Sequence, residues 1–330
     1  MKNVKFSLAP LFFGGIACLA AAPSFAAAPV APVALPKTIT IVVPFGPGAS
    51  NDSFARVIAQ KLGPKIGSTV IVDNKPGAGS TIGSSFVSRA APDGSVLMLT
   101  SSTFTTSAAV QKNLPYDPIK GFAPVSLVAT GPMLLTVGAQ TPYKSAADLI
   151  ADARANKGKI NYASSGIGSI NQMSAEMLNS MAKVDMMHVP YKGAAAGLTD
   201  MIAGQVQVMV ASPASAIGQI KSGKVRVLAV TSPKASALVP GIEPLNKTVP
   251  GYEVEIWWGI FAPAGTPKPV VDRLNAEINS IINTPEMRER FAVEGAEPTS
   301  SVSPDQFGVY VRKELDKWRA IAKEKQISAE

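Results

Sequence analysis

The sequence predicts an α/β protein of two hinged lobes, each a mainly parallel sheet flanked by helices. Short apolar, β-branched runs alternate with helical stretches, the pattern of βαβ units. The length, 330 residues, is that of two domains at about 100–200 residues each. The alternation also breaks and resumes. One set of units occupies 36–135 and a second 136–256, after which the chain crosses back to complete the first lobe over 257–330. With 46% hydrophobic and 16% charged residues and mean hydropathy +0.19, the chain can bury large cores, which excludes a disordered protein.

Residues 1–26 read as an address. Lys2 and Lys5 precede an apolar stretch from Phe6 to Ala22, and Pro23-Ser24-Phe25-Ala26 offers small residues at a cleavage site, so a secretory signal is cut near Ala26. Pro10, Gly14 and Gly15 interrupt the run, which argues against a membrane anchor. Gly15-Ile16-Ala17 is a poor lead-in to a lipid-modified Cys18. Losing the leader removes the one cysteine and two lysines, leaving 29 basic against 23 acidic residues, which suits a disulfide-free protein of a bacterial periplasm. The basic residues are neither clustered nor interleaved with aromatics, so nucleic acid is not expected as a partner. A single histidine and a single cysteine leave no basis for a metal site, and no cofactor is expected.

After an Ala/Pro-rich segment, Thr38–Val43 is a strand, and Ser50 to about Leu62 is a helix. Thr69–Val72 and Val96–Thr100 are strands around a helix at Thr81–Ala90. In the second lobe a capping box, Ser145 and Asp148, opens a helix to Asn156. Strands at Ile160–Ala163, Met186–Val189, Val206–Val210 and Val225–Val230 alternate with helices at Ser169–Met181, Ala194–Ala203 and Ile217–Lys221. Thr266-Pro267 caps a long helix to Asn283, and Ser303 with Gln306 caps the last one. In that helix Phe307, Val311, Leu315, Trp318 and Ala322 form a core-facing stripe.

Two loops carry the chemistry. In Pro44-Phe45-Gly46-Pro47-Gly48-Ala49-Ser50-Asn51-Asp52 a strand ends and a helix begins, where free N–H groups and the helix dipole favour an anion. Asp52 complements the dipole, receives a ligand donor, or holds the loop's N–H groups in place. The same arrangement recurs over Ser164-Ser165-Gly166-Ile167-Gly168-Ser169, where Ser169 and Gln172 form a second capping box. Lys192 and Gly193 lie at a further strand–helix turn and could face the same crevice. The glycines of Asn74-Lys-Pro-Gly-Ala-Gly79 do not match a dinucleotide fingerprint and read as a turn. There is no G-x-S-x-G elbow, phosphate loop or H-E-x-x-H, and His188 reads as a structural side chain.

These segments resemble the substrate-binding proteins of tripartite tricarboxylate transporters, the Bug-type receptors. The resemblance rests on Pro44-Phe-Gly-Pro-Gly48 with Asp52 and Ala55-Arg56, on Asn74–Gly79, and on Leu114-Pro-Tyr-Asp-Pro118 with Phe122-Ala-Pro-Val-Ser126. It continues through Asn161–Gly166 with Gly168-Ser169, His188-Val-Pro-Tyr-Lys-Gly193, Gly223–Thr231 and Ala262–Pro267, covering nearly all of the mature chain. It implies a monomeric periplasmic receptor that closes on a small organic anion, a carboxylate, and passes it to membrane permease subunits. Carried over by position, Phe45, Gly48, Ala49, Ser50, Asn51 and Asp52 face Ser164, Gly166, Gly168 and Ser169 across the ligand, with Ser101 and Ser102 as pocket wall. Ala49 replaces a usual glycine and Gln172 a common histidine, which leaves the identity of the carboxylate open. Two other readings remain: a periplasmic carboxylate sensor with the same pocket, and a secreted hydrolase. The hydrolase needs a base beside Ser164 or Ser169, and the sequence places the sole histidine at a strand end elsewhere.

Overall fold

Residues 33–293, 295–299 and 302–329 form the described part of the structure, a computed structural model, together with 1–3, 5, 7 and 9. Apart from those six scattered positions, the leader read at 1–26, with Cys18 and the cleavage site, lies outside the described residues. Among the described residues no helix is long and apolar enough to cross a membrane.

The β-branched run Thr38–Val43 forms β1, followed by α1 (Ser50–Ile66), β2 (Thr69–Asn74), α2 (Thr81–Ser88), β3 (Val96–Ser101) and α3 (Thr103–Val110). The chain then passes through β4 (Phe122–Pro132) and, one residue later, β5 (Leu134–Gly138). Next come α4 (Ala146–Ala155), β6 (Asn161–Ser164), α5 (Ile170–Ala182), β7 (Met187–Pro190), α6 (Ala194–Ile202), β8 (Val208–Ala211), α7 (Pro213–Lys221) and β9 (Val225–Val230). It closes with β10 (Glu255–Pro263), α8 (Lys268–Ile282), α9 (Pro285–Val293), β11 (Glu297–Pro298) and α10 (Pro304–Glu324). Both capping boxes expected at Ser145/Asp148 and Ser303/Gln306 are formed. Thr266 does not cap α8: its hydroxyl donates to the Pro263 carbonyl at 2.8 Å, and Pro267 takes the N-cap position. Helix α1 runs a turn beyond the expected end, through Pro64, and stops on Gly67 in the left-handed region.

Two sheets result, ordered β11-β4-β10-β3-β1-β2 and β7-β6-β8-β5-β9. The expected parallel pairing holds for β1 with β2 and β3, and for β6 with β7 and β8. The rest is antiparallel, so both sheets are mixed. The cause is connectivity. β4 and β5 carry the chain from one sheet to the other and β10 carries it back, without the crossover helix that a parallel neighbour needs.

The two passages meet at Thr231. Its hydroxyl accepts from the Met133 N–H at 2.8 Å and donates to the Val254 carbonyl at 2.6 Å. Its own N–H bonds to Met133 O, and its carbonyl accepts from Val254 N–H, both at 3.0 Å. Helix α10 is shared as well. Phe307 and Val311 pack with Trp257 and Phe261 of the larger sheet, while Trp318 and Ala322 join the core built on β5, α4 and α5. The stripe read from its sequence is buried throughout.

Candidate functional site

Because β1, β2 and β3 run parallel, the segments after Val43, Asn74 and Ser101 emerge at one edge of the larger sheet. Those after Ser164, Pro190 and Ala211 share one edge of the smaller sheet in the same way.

At the first edge, Gly48 takes φ +84°, which turns its N–H back to Asp52 Oδ2 at 3.0 Å. The Asp52 carboxylate is buried and holds three further groups: Arg56 Nε at 3.0 Å, Arg56 Nη2 at 2.9 Å and Asn74 Nδ2 at 3.0 Å. The Asn74 amide also reaches the Phe45 carbonyl at 3.1 Å, so the end of β2 ties down the loop after β1. The hydrogen bond from Arg56, reinforced by those from Gly48 and Asn74, holds the carboxyl below the usual carboxylate range against the opposing effect of burial. With its oxygens engaged in this way, Asp52 is a brace, the last of the three roles its position allows. Ala49, exposed, is the N-cap of α1 and provides no side-chain acceptor, and Ser50 is half-buried behind it. The first-turn N–H groups of Asn51 and Asp52 lack an intrahelical carbonyl to reach.

Ser101 is buried opposite Trp258 in the sheet. Ser102 has no exposed surface: its hydroxyl accepts from Trp257 N–H at 2.8 Å and its N–H donates to Trp257 O at 3.0 Å. It stitches β3 to β10 and presents no side-chain wall to solvent.

The second loop is braced through other groups. Gly168 N–H donates to Gln172 Oε1 at 2.8 Å, and Gly166 N–H to Ser164 Oγ at 3.1 Å. Ser169 N–H donates to Gly166 O at 3.2 Å, while the Ser169 hydroxyl caps α5 by accepting from Gln172 N–H at 3.3 Å. The reciprocal half of the expected capping box is missing, because the Gln172 side chain serves Gly168 in place of Ser169. Gly168, at φ +75°, lies against α3: an added Cβ would sit 2.6 Å from Val110 Cγ2. The N–H groups of Ile167, Ile170 and Asn171 reach no acceptor among the described residues.

His188 is not remote from the serines, which corrects the sequence reading. The register pairs Tyr162 with His188, and Ser164 Oγ lies 2.6 Å from His188 Nε2. The geometry nonetheless opposes nucleophilic catalysis. Gln172 Oε1 is committed to Gly168 N–H, so the Gln172 NH2 faces His188 Nδ1 at 3.2 Å, and Nδ1 must accept. The ring proton therefore sits on Nε2 and is donated to Ser164, the opposite of what a general base does. Ser164 itself has no exposed surface. Burial pushes the imidazole down to about 4, keeping it neutral.

Gly48, Asn51 and Asp52 make no hydrogen bond to Ser164, Gly166, Gly168 or Ser169; each set is gathered about its own brace. Lys192 is exposed, two residues beyond the Ser164–Pro190 pair, and Gly193, at φ +105°, is the N-cap of α6. Four bracing residues were not among the site residues expected from sequence: Arg56, Asn74, Gln172, read as a capping-box partner, and His188, read as a structural side chain. The i,i+4 spacing of Asp52 and Arg56 was a usable signal; the other contacts depend on strand register. No group of three or more metal-ligating side chains occurs among the described residues. A cavity of about 540 Å³ lies away from these loops, at the opposite edge of the larger sheet, where Phe122, Phe261 and Val311 line it.

Comparison with known proteins places the chain among receptors of one family. Residues 54–327 match the tripartite tricarboxylate transporter family receptor, TctC. The chain is 34% identical to the periplasmic binding protein BugD, with TM-score 0.75 over 89% of this chain and 99% of that one. An R. palustris protein with adipate is 32% identical, with TM-score 0.78 over 88% of this chain and 98% of its own. MatC from Rhodopseudomonas palustris, with bound malate, is 31% identical, with TM-score 0.75 over 86% and 98%.

Proposed function

The chain belongs to the tripartite tricarboxylate transporter receptor family, and from that premise we propose that it is a periplasmic receptor for a small organic carboxylate. The lobes 36–135 with 257–330, and 136–256, close on the anion and present it to the membrane permease subunits. The observation that carries the reading is likeness, over nearly the whole chain, to two proteins holding the dicarboxylates adipate and malate. The chemistry of the loops supports it. At the first edge Asn51 and Asp52 offer main-chain N–H groups at the start of α1, beside Phe45, Gly48, Ala49 and Ser50. At the second, Ile167, Ile170 and Asn171 offer theirs, flanked by Ser164, Gly166, Gly168, Ser169, Lys192 and Gly193. Donors of this kind suit a carboxylate, and a helix N-terminus adds about 0.3–1 kcal/mol for a negative charge. Closure is a hinge motion whose affinity comes from contacts made only in the closed state.

The test is a thermal-shift series with adipate, malate and citrate on the mature protein. Stabilisation growing with ligand concentration, about 2.7 kcal/mol at a hundredfold excess over Kd, with the acid recovered unchanged, is the expected result. Turnover of an acid, or no shift with any of the three, refutes the reading.

A further inference from the structure

The brace of the second loop is a hydrogen-bond chain with one direction. It starts at Gly168 N–H, passes through the Gln172 amide and the His188 ring, and reaches Ser164 Oγ. Ser164, which already accepts from the ring and from Gly166 N–H, sends its own proton to the Gly166 carbonyl at 3.2 Å. Each donor has one acceptor, and reversing a link would set two donors face to face. The ring is fixed from the side as well: it stacks on Tyr162 with centroids 5.1 Å apart at 22°, and the Tyr162 hydroxyl donates to Glu176 at 2.6 Å.

We propose that Gln172 and His188 are positioning residues for anion capture, engaging the Gly166 and Gly168 amides so that those of Ile167, Ile170 and Asn171 are left as the donors of the second loop. The inference rests on the carboxylate reading above. Its physical content is a division of labour. Without Gln172 the Gly168 N–H loses its acceptor, and without His188 the Ser164 hydroxyl is free to rotate off Gly166. Because Gly168 presses on α3, any loosening of the loop changes its place relative to the larger sheet.

The sole histidine makes the test clean, since its ring nitrogens give one set of NMR signals. The free protein should show the tautomer protonated at Nε2. Gln172→Glu keeps an acceptor for Gly168 N–H but turns the group facing Nδ1 into an oxygen, so the tautomer should invert. Gln172→Leu removes both links and should speed exchange of the Gly168 amide about tenfold or more. Both variants should bind adipate or malate about tenfold or more weakly while remaining folded by circular dichroism. A wild-type ring protonated at Nδ1 overturns the proposal. So does an inverted tautomer in Gln172→Glu with unchanged affinity. If the wild type binds neither acid, the carboxylate reading fails, and the chain of bonds is then judged on the tautomer and the Gly168 exchange alone.

Discussion

Replacing Asp52 tests the brace of the first loop. Asp52→Ala removes the acceptor of Gly48 N–H, one acceptor of Asn74 Nδ2 and the anionic partner of Arg56. The three losses are unequal. The Arg56 side chain is 54% exposed and returns to water, so its ion pair contributes under about 1 kcal/mol. Asn74 keeps the Phe45 carbonyl, and Gly48 is exposed, so each of their bonds contributes about 1 kcal/mol net. The sum is a destabilisation of about 2–3 kcal/mol at pH 7. Asp52→Asn keeps one of the two oxygen acceptors, loses the charge and sets an NH2 against the donors of the other, at about 1–2 kcal/mol. Urea denaturation gives both numbers as a shift in midpoint at constant m. The pH dependence has a definite sign. A carboxyl held below its ordinary value stabilises the fold above about pH 4 and loses that contribution as the pH falls, so wild type and Asp52→Ala should converge in acid. Equal effects of Ala and Asn, or a loss under about 0.5 kcal/mol for Ala, would show that the buried carboxylate does not hold the loop.

His188 gives the second acid-linked effect. The folded imidazole stays neutral down to about 4, whereas in the unfolded chain it takes a proton near 6.5, so stability should fall between those values by up to about 3 kcal/mol. His188→Asn should flatten the profile in that window, and parallel profiles for the two proteins would refute the assignment. In the core, Gly259→Ala places a Cβ 2.3 Å from Phe307 Cζ, in a ring already packed on Phe261 and Trp257. Overpacking there should cost about 1–3 kcal/mol, read as a lower thermal midpoint; an unchanged midpoint would mean that the ring has room to move.

What could be read in advance was local. Ser145/Asp148 and Ser303/Gln306 work as capping boxes because both partners lie within one turn. Ser169/Gln172 has the same spacing, yet Gln172 turns to Gly168 and to His188, sixteen positions along the chain, and no local rule weighs that competition. The strands β4 and β5 were hidden by Pro124, Gly131 and Pro132, which read as breakers, and α3, rich in threonine and serine, has no helical signature. The mixed sheets follow from that omission, since β4, β5 and β10 supply the antiparallel neighbours. Both anion loops could be placed from their glycines and helix starts, but not the side chains that fix them. Those depend on which residue of β6 lies beside which residue of β7, and on how far β2 extends toward the loop after β1.

A single threonine hydroxyl couples two stretches of backbone, at Met133 and Val254, that are far apart in sequence but side by side in space. Thr231 makes them an axle: Met133 and Val254 cannot twist independently without stranding a buried donor or acceptor. A rotation of one sheet relative to the other would therefore have to be absorbed by the peptides that flank this joint.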